Sequence, residues 1–146
     1  PWQPQNYESV VTTGLEFNYE LRVKQNIGNS LFSWDMARIG YTYLDMQAQS
    51  QGESISRYAI SNLRNQLTFQ TTFSYSNKLS LSLTSRYLDR PIYNSYWLVD
   101  SRIQYRVSNA SFWLDCTNIL DTQYIETANA LMPGRWFRAG FEIVIK

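Results

Sequence analysis

Polar and apolar residues alternate along almost the whole chain, and this alternation constrains the fold more than any other feature. Between residues 13 and 23, Leu15, Phe17 and Tyr19 occupy odd positions, whereas Glu16 and Glu20 occupy even ones. Successive side chains of a β-strand point to opposite faces, so a period of two predicts strands with one apolar and one polar face. Helical periodicity is nearly absent.

The alternation predicts seven strands in a single segment, residues 1–146. They span residues 9–23, 35–46, 63–76, 79–90, 96–107, 111–121 and 135–146. No linker, fixed repeat or low-complexity tract divides the chain. The predicted fold is therefore all-β, an antiparallel up-and-down meander of about seven long strands that is part of a larger transmembrane barrel.

The charged residues test the two faces independently. When the apolar face of each strand is chosen from its large apolar side chains alone, the charges inside the strands fall on the opposite face. These charges are Glu16, Glu20, Arg22, Arg38, Arg64, Arg86, Asp100, Arg102, Arg106, Asp115, Arg138 and Glu142. Either a packed core or lipid would exclude charge from the apolar face in this way.

The composition argues against several classes of function. The chain has no His and one cysteine, Cys116, which excludes a disulfide within it and a catalytic triad that depends on His. The net charge of +1, without any basic run, argues against a nucleic-acid partner. No acidic residues have the spacing of a calcium loop. We therefore expect no enzyme, no metal site and no cofactor.

Strand length and loop placement favour lipid over a packed core. Strands of soluble proteins have a mode of about 5–6 residues, whereas a tilted membrane strand needs ~9–11, and most of the predicted strands are longer than the soluble mode. Tight turns at 76–78 and 108–110 alternate with longer stretches at 45–62, 89–95 and 121–134, as in outer-membrane barrels. The connection at 24–33 fits this scheme less well.

Aromatic residues near the strand ends favour the same conclusion, because membrane barrels carry aromatic girdles at both interfaces. On the apolar side these are Phe32, Trp34, Tyr41, Tyr43, Tyr75, Tyr87, Trp97, Tyr105 and Phe137. A membrane barrel is thus preferred to a soluble β-sandwich or a lipocalin-like barrel. An arc of seven strands leaves two open edges, which lipid does not tolerate. Together with a start at Pro1 rather than Met, this predicts a piece of a longer chain.

Four stretches resemble the TonB-dependent outer-membrane receptors. "TNILDTQY" (117–124) is similar to the motif of that family's penultimate strand, and "PGRWFRAGFEIVIK" (133–146) to its last strand. "TTGLEFNYEL" (12–21) and "RIGYTYLD" (38–45) resemble two strands further upstream. Two departures are Ile119-Leu120 in place of Leu-Phe, and Lys146 where these barrels usually end in an aromatic residue.

The resemblance implies a role in the bacterial outer membrane. The chain would supply the C-terminal part of a barrel that takes up a scarce nutrient: a ferric siderophore, haem, cobalamin or a glycan. Its partners would be membrane lipid, the receptor's own plug domain and missing strands, and the TonB complex, which acts through an absent N-terminal region. We expect the isolated piece to self-associate or to close into a smaller barrel.

Two sets of residues are candidates for function on this reading. Aromatic and cationic groups at the long loops suit stacking and anion contact with a ligand; they are Arg90, Tyr93, Tyr96 and Tyr124. Charged groups on the polar face would line the lumen and contact the plug; they are Glu16, Glu20, Arg64, Arg86, Arg102 and Arg106. The alternative for the first set is that the aromatic residues only pack against neighbouring side chains, and the alternative for the second is that the charges only face solvent. A soluble or surface β-domain that acts as a binding module remains the alternative function.

Overall fold

The computed structural model describes residues 9–26, 31–49, 63–76, 78–91, 93–126 and 130–145. These residues form one antiparallel sheet of seven strands in chain order, which confirms the predicted all-β meander. The strands are β1 (Ser9–Asn26), β2 (Phe32–Gln49), β3 (Asn65–Tyr75), β4 (Leu79–Arg90), β5 (Tyr93–Val107), β6 (Ala110–Thr117) and β7 (Trp136–Ile143).

The pairing register carries the sequence alternation across the whole sheet. Residues directly opposite each other in an antiparallel pair share a face. One such row runs from Phe17 through Tyr41, Leu67 and Tyr87 to Trp97, one residue from each of the first five strands. We call the face that bears this row the apolar face and the opposite one the polar face.

The same separation continues into the last three strands. Tyr105 of β5 lies opposite Phe112 of β6, which lies opposite Phe141 of β7. On the polar face the corresponding row joins Arg102, Asp115 and Arg138. Away from the strand ends, the charged residues therefore stay on the polar face from β1 to β7.

The sheet is a single layer whose apolar face is open. Among the described residues, the extensive contacts between strands are those between neighbours in the sheet. Phe141 is 69% exposed and Leu15 64%. The small buried cluster of Leu88, Tyr96 and Leu98 occupies even positions of β4 and β5, which places it on the polar face.

A bulge at Asp35 explains why β2 changes its alternation. Trp34 lies opposite Phe73 and Met36 lies opposite Thr72, so Asp35 is an extra residue in the ladder. Its carboxylate accepts hydrogen bonds from the hydroxyls of Ser33 (2.7 Å) and Ser74. The bulge keeps even-numbered Trp34 on the apolar face, which odd-numbered residues occupy in the rest of β2.

Several predicted strand ends need correction. β1 ends at Asn26 and β2 begins at Phe32, so the connection between them is shorter than the predicted 24–33. β2 also continues to Gln49, beyond the predicted loop start at 45. β6 ends at Thr117 rather than 121, and β7 at Ile143. The rest of the predicted loop, residues 50–62, lies outside the described residues, as does Lys146.

Two of the three connections at one end of the sheet are long, whereas tight turns lie at the other end. Ser76 and Ser108 each adopt a φ of 51° in the tight β3–β4 and β5–β6 turns, at what we call the turn end. At the opposite, loop end, residues 50–64 and 118–135 are long connections. The predicted long connection at 89–95 is wrong, because β4 and β5 pair up to Arg90 and Tyr93 and leave only residues 91–92.

Candidate functional site on the polar face

Three of the four predicted ligand-contact residues meet at the loop end of the polar face. The rings of Tyr96 and Tyr124 lie 4.7 Å apart at 31°. The Tyr96 hydroxyl donates to Glu126 Oε1 (3.0 Å), and Arg90 Nη2 lies 3.9 Å from the same oxygen. Tyr93, the fourth predicted residue, lies at the start of β5 directly opposite Arg90, beyond a shift of register in the β4–β5 ladder. We call Arg90, Tyr96, Tyr124 and Glu126 the tyrosine cluster.

Apolar side chains support the tyrosine cluster from below. Leu88 and Leu98 are 6% and 3% exposed and pack with Tyr96, while Leu63 and Tyr124 pack against them. This burial raises the pKa of the Tyr124 hydroxyl above its ordinary value, so the group stays neutral at physiological pH. The cluster is thus a packed patch with a polar edge rather than a set of free ligand contacts.

The β6–β7 connection folds back over the polar face because its own residues pair with one another. Asn118 donates to the Thr122 carbonyl (3.0 Å) and accepts from the Thr122 amide (3.0 Å). The Met132 amide donates to the Tyr124 carbonyl (2.9 Å), and Ile125 and Leu131 form an isolated bridge. These bonds hold Tyr124 against the sheet.

The two motifs that resemble the receptor family meet at one corner of this connection. Asp121 Oδ1 accepts a hydrogen bond from the Arg135 amide (2.8 Å). A Cβ at Gly134 would lie 2.5 Å from the same oxygen, so a larger residue would displace the carboxylate from this position. In addition, the Asn118 amide donates to Asp100 Oδ1 (2.8 Å), which ties the connection to β5. The motif residues therefore have a structural role in this chain.

Ion pairs cross the strands on the polar face, where five of the six predicted lumen-facing residues lie. Arg86 bonds Asp100 (2.8 Å) between β4 and β5, and Arg38 of β2 bonds Glu20 of β1. Glu16 and Arg106 also occupy even positions of β1 and β5, on the same face. Arg64, just before β3, differs from the others: it bonds Asp89 (3.1 Å), which lies two residues after Tyr87 and therefore shares the phase of the apolar face at the loop end.

Asp115 is the most enclosed carboxylate of these pairs and has two cationic neighbours. Arg102 donates two hydrogen bonds to it, from Nε to Oδ1 (2.6 Å) and from Nη2 to Oδ2 (2.8 Å). Arg138 Nη2 approaches Oδ2 to only 3.5 Å. The Arg102 guanidinium also lies 5.1 Å from the centre of the Trp113 ring. Asp115 is 5% exposed, so it needs these partners to remain charged.

A groove of about 380 Å³ opens between the strands and the β6–β7 connection. We call it the polar-face groove; its walls include Arg86, Asp100, Tyr124, Met132, Trp136 and Arg138. Trp136 is 57% exposed and the Arg138 side chain 58%. The groove shares Tyr124 with the tyrosine cluster.

Sequence reasoning missed Glu126 and did not single out Trp136 for ligand contact. Glu126 belongs to an irregular connection, where no periodicity indicates its partners. Trp136 belongs to the last predicted strand, where alternation by itself does not indicate ligand contact. A usable signal did exist: Leu88 and Leu98 are apolar at polar-face positions, which indicates a patch that something covers.

The described residues contain no cluster of three or more His, Cys, Asp or Glu side chains placed to hold a metal ion. Nor does the described part of the chain include a helix long and apolar enough to cross a membrane. Comparison with known proteins found no family model, no curated protein and no solved structure that matches this chain.

Proposed function

We propose that the chain forms part of the wall of an outer-membrane β-barrel, as the C-terminal portion of a TonB-dependent receptor. One observation carries this proposal: a single-layer antiparallel sheet has one continuous, exposed apolar face and one face of ion pairs. Soluble monomers rarely expose an apolar patch larger than a few hundred Å². Lipid is the environment that suits such a face over seven adjacent strands.

The energetics favour covering the apolar face. Burying a Phe or Leu side chain contributes about 1.5–3 kcal/mol, and Leu15, Phe17, Phe137 and Phe141 are each at least 55% exposed. Moving the ion pairs of the opposite face into hydrocarbon would instead cost free energy. The polar face would therefore line a wet lumen and contact a plug domain.

The resemblance of residues 117–124 and 133–146 to the receptor family supports the narrower part of the proposal. The two segments also meet in the structure, through the hydrogen bond between the Arg135 amide and Asp121. The receptor would take up a scarce nutrient of the ferric siderophore, haem or cobalamin class, driven by the TonB complex. Cells that produce the native protein should lose growth on the limiting nutrient when either the protein or TonB is deleted.

The lipid-facing part of the proposal is testable with the chain's own thiol. Cys116 lies on the apolar face, opposite Ser101 and Phe137. A nitroxide attached to Cys116 in the native protein, with any other cysteines replaced and the protein reconstituted in phosphatidylcholine vesicles, should collide more with O₂ than with a water-soluble nickel chelate. The measurement is power-saturation electron paramagnetic resonance.

A control variant uses the opposite face of the same strand. In C116S/S111C the label moves to the polar face of β6, since Ser111 lies opposite Arg106 and Glu142. This label should prefer the nickel chelate. If both labels prefer the chelate, the apolar face does not meet lipid, and the alternative of a soluble or surface β-domain takes the place of the barrel.

A further inference from the structure

The cationic and acidic groups beside the polar-face groove do not balance. Arg86 is paired with Asp100 (2.8 Å), and Arg102 already satisfies both oxygens of Asp115. Arg138 adds a third guanidinium to these two carboxylates, at 3.5 Å from Asp115 and without a hydrogen bond to it. One positive charge is therefore in excess across β4 to β7.

The surplus charge lies where a ligand could reach it. Arg138 lines the groove, and its side chain is 58% exposed. A guanidinium offers five N–H donors in a planar fork that matches a carboxylate. Because Asp115 is held by Arg102, the donors of Arg138 remain available for an anion in the groove.

Aromatic rings stand on the same walls. Trp136 lies two residues before Arg138 on the same face of β7 and is 57% exposed. Tyr124 approaches from the β6–β7 connection and is neutral. A flat ring would find stacking partners here, since aromatic pairs favour offset and edge contacts.

We infer that the polar-face groove is a binding site for an anionic aromatic ligand, whose carboxylate pairs with Arg138 and whose ring packs on Trp136. The volume of about 380 Å³ lies in the range of small-molecule sites. This chemistry disfavours a neutral sugar as the ligand. That the ligand is the transported cargo rests on the proposed function, whereas the binding itself does not.

Binding is tested with three probes and calorimetry on the native protein in detergent. The probes are 2-naphthoate, its neutral isostere 2-naphthamide, and the non-aromatic anion cyclohexanecarboxylate. We expect saturable binding of 2-naphthoate and at least about tenfold weaker binding of the amide, because hydrogen bonds between charged groups are the stronger ones. Arg138→Gln should weaken naphthoate about tenfold for the same reason.

Arg22→Gln is the control, because Arg22 is also an exposed polar-face arginine that shares a carboxylate, Glu20, with a second arginine, Arg38. It lies on β1, outside the groove, and should leave binding unchanged. Trp136→Leu should weaken the binding of 2-naphthoate but not that of cyclohexanecarboxylate. If the circular dichroism spectrum shows that Arg138→Gln disturbs the fold, the Trp136→Leu variant provides the test instead. Three results would overturn the inference. These are an equal loss of 2-naphthoate affinity in Arg138→Gln and Arg22→Gln, an equal affinity of the unmodified protein for 2-naphthamide and 2-naphthoate, and no saturable binding at millimolar 2-naphthoate. None of these results would change the Cys116 label experiment.

Discussion

At the scale of single residues, the absence of a side chain at position 140 determines how the polar face packs. A Cβ there would overlap the ring of Trp113, which lies directly opposite across β6 and β7. That ring contacts the guanidinium of Arg102, and Arg102 holds Asp115. Gly140 therefore allows a chain of contacts that ends at the most buried carboxylate of the sheet.

Gly140→Val should destabilise the sheet by about 1–3 kcal/mol, the usual cost of overpacking. The added methyl groups would push Trp113 off the strand and loosen its contact with Arg102. Urea unfolding followed by tryptophan fluorescence measures the change. Ala139→Val adds bulk to the exposed opposite face of the same strand and should change stability by less than about 0.5 kcal/mol. Equal effects of the two substitutions would contradict the role given to Gly140.

The candidate site could be predicted only where single residues carry a positional signal. Tyr96 and Tyr124 were predicted because aromatic residues near long loops suit ligand contact, and the structure brings them together with Arg90. Glu126, which joins Tyr96 and Arg90, could not be found, because its position depends on how an irregular connection folds back. Tyr93 was predicted from the same signal, and the structure places it opposite Arg90, where a register shift interrupts the alternation of β5.

At the scale of elements, the bulge in β2 changes which positions of the strand lie on the apolar face. Even-numbered residues lie there before the bulge and odd-numbered residues after it. Without Asp35, residues 32–34 would be out of phase with the rest of the strand. Trp34 uses its place to donate to Thr71 Oγ1 (3.0 Å) and to the Met36 carbonyl (3.1 Å). Phe32 stacks on Phe73 with ring centres 5.7 Å apart.

Deleting Asp35 should turn Phe32 and Trp34 to the polar face and lower the free energy of unfolding by roughly 2–4 kcal/mol, from two aromatic side chains that lose their packing. Asp35→Ser keeps the residue count and should cost only about 1 kcal/mol, the loss of its hydrogen bonds to Ser33 and Ser74. Urea denaturation of the two variants compares them. A deletion no more harmful than Asp35→Ser would show that the bulge does not set the phase.

Alternation predicted the existence of all seven strands, but not where they end. β4 was placed correctly at 79–90, because its apolar residues stop where the pairing does. The sixth strand was drawn too long, because Leu120 continues the phase of Phe112 although the chain has already left the sheet at Asn118, with a φ of 51°. The predicted β4–β5 loop at 89–95 is too long, because the two strands pair up to Arg90 and Tyr93.

At the scale of the whole molecule, the single layer has an exposed apolar face and two unpaired outer strands, β1 and β7. An open strand edge is a template for pairing with another chain. Both features favour contact with a second body in water, whether lipid, detergent or another copy.

The isolated chain should therefore self-associate in detergent-free buffer and become monomeric in detergent micelles, as measured by analytical ultracentrifugation. Phe141→Lys should weaken the association in buffer, because it places a charge on the apolar face. Glu142→Lys, one residue further on the polar face, should leave it unchanged. A clean monomer of the unmodified chain in buffer would contradict both this expectation and the lipid-facing assignment.

The meander also has a directional consequence. In an antiparallel sheet taken in chain order, β1 and β7 run the same way, since each step along the sheet reverses direction and six reversals separate them. Joining these two strands to each other would create a parallel seam in an otherwise antiparallel wall. A closed cylinder that keeps every neighbour antiparallel must therefore place an odd number of further strands between them, whatever its circumference.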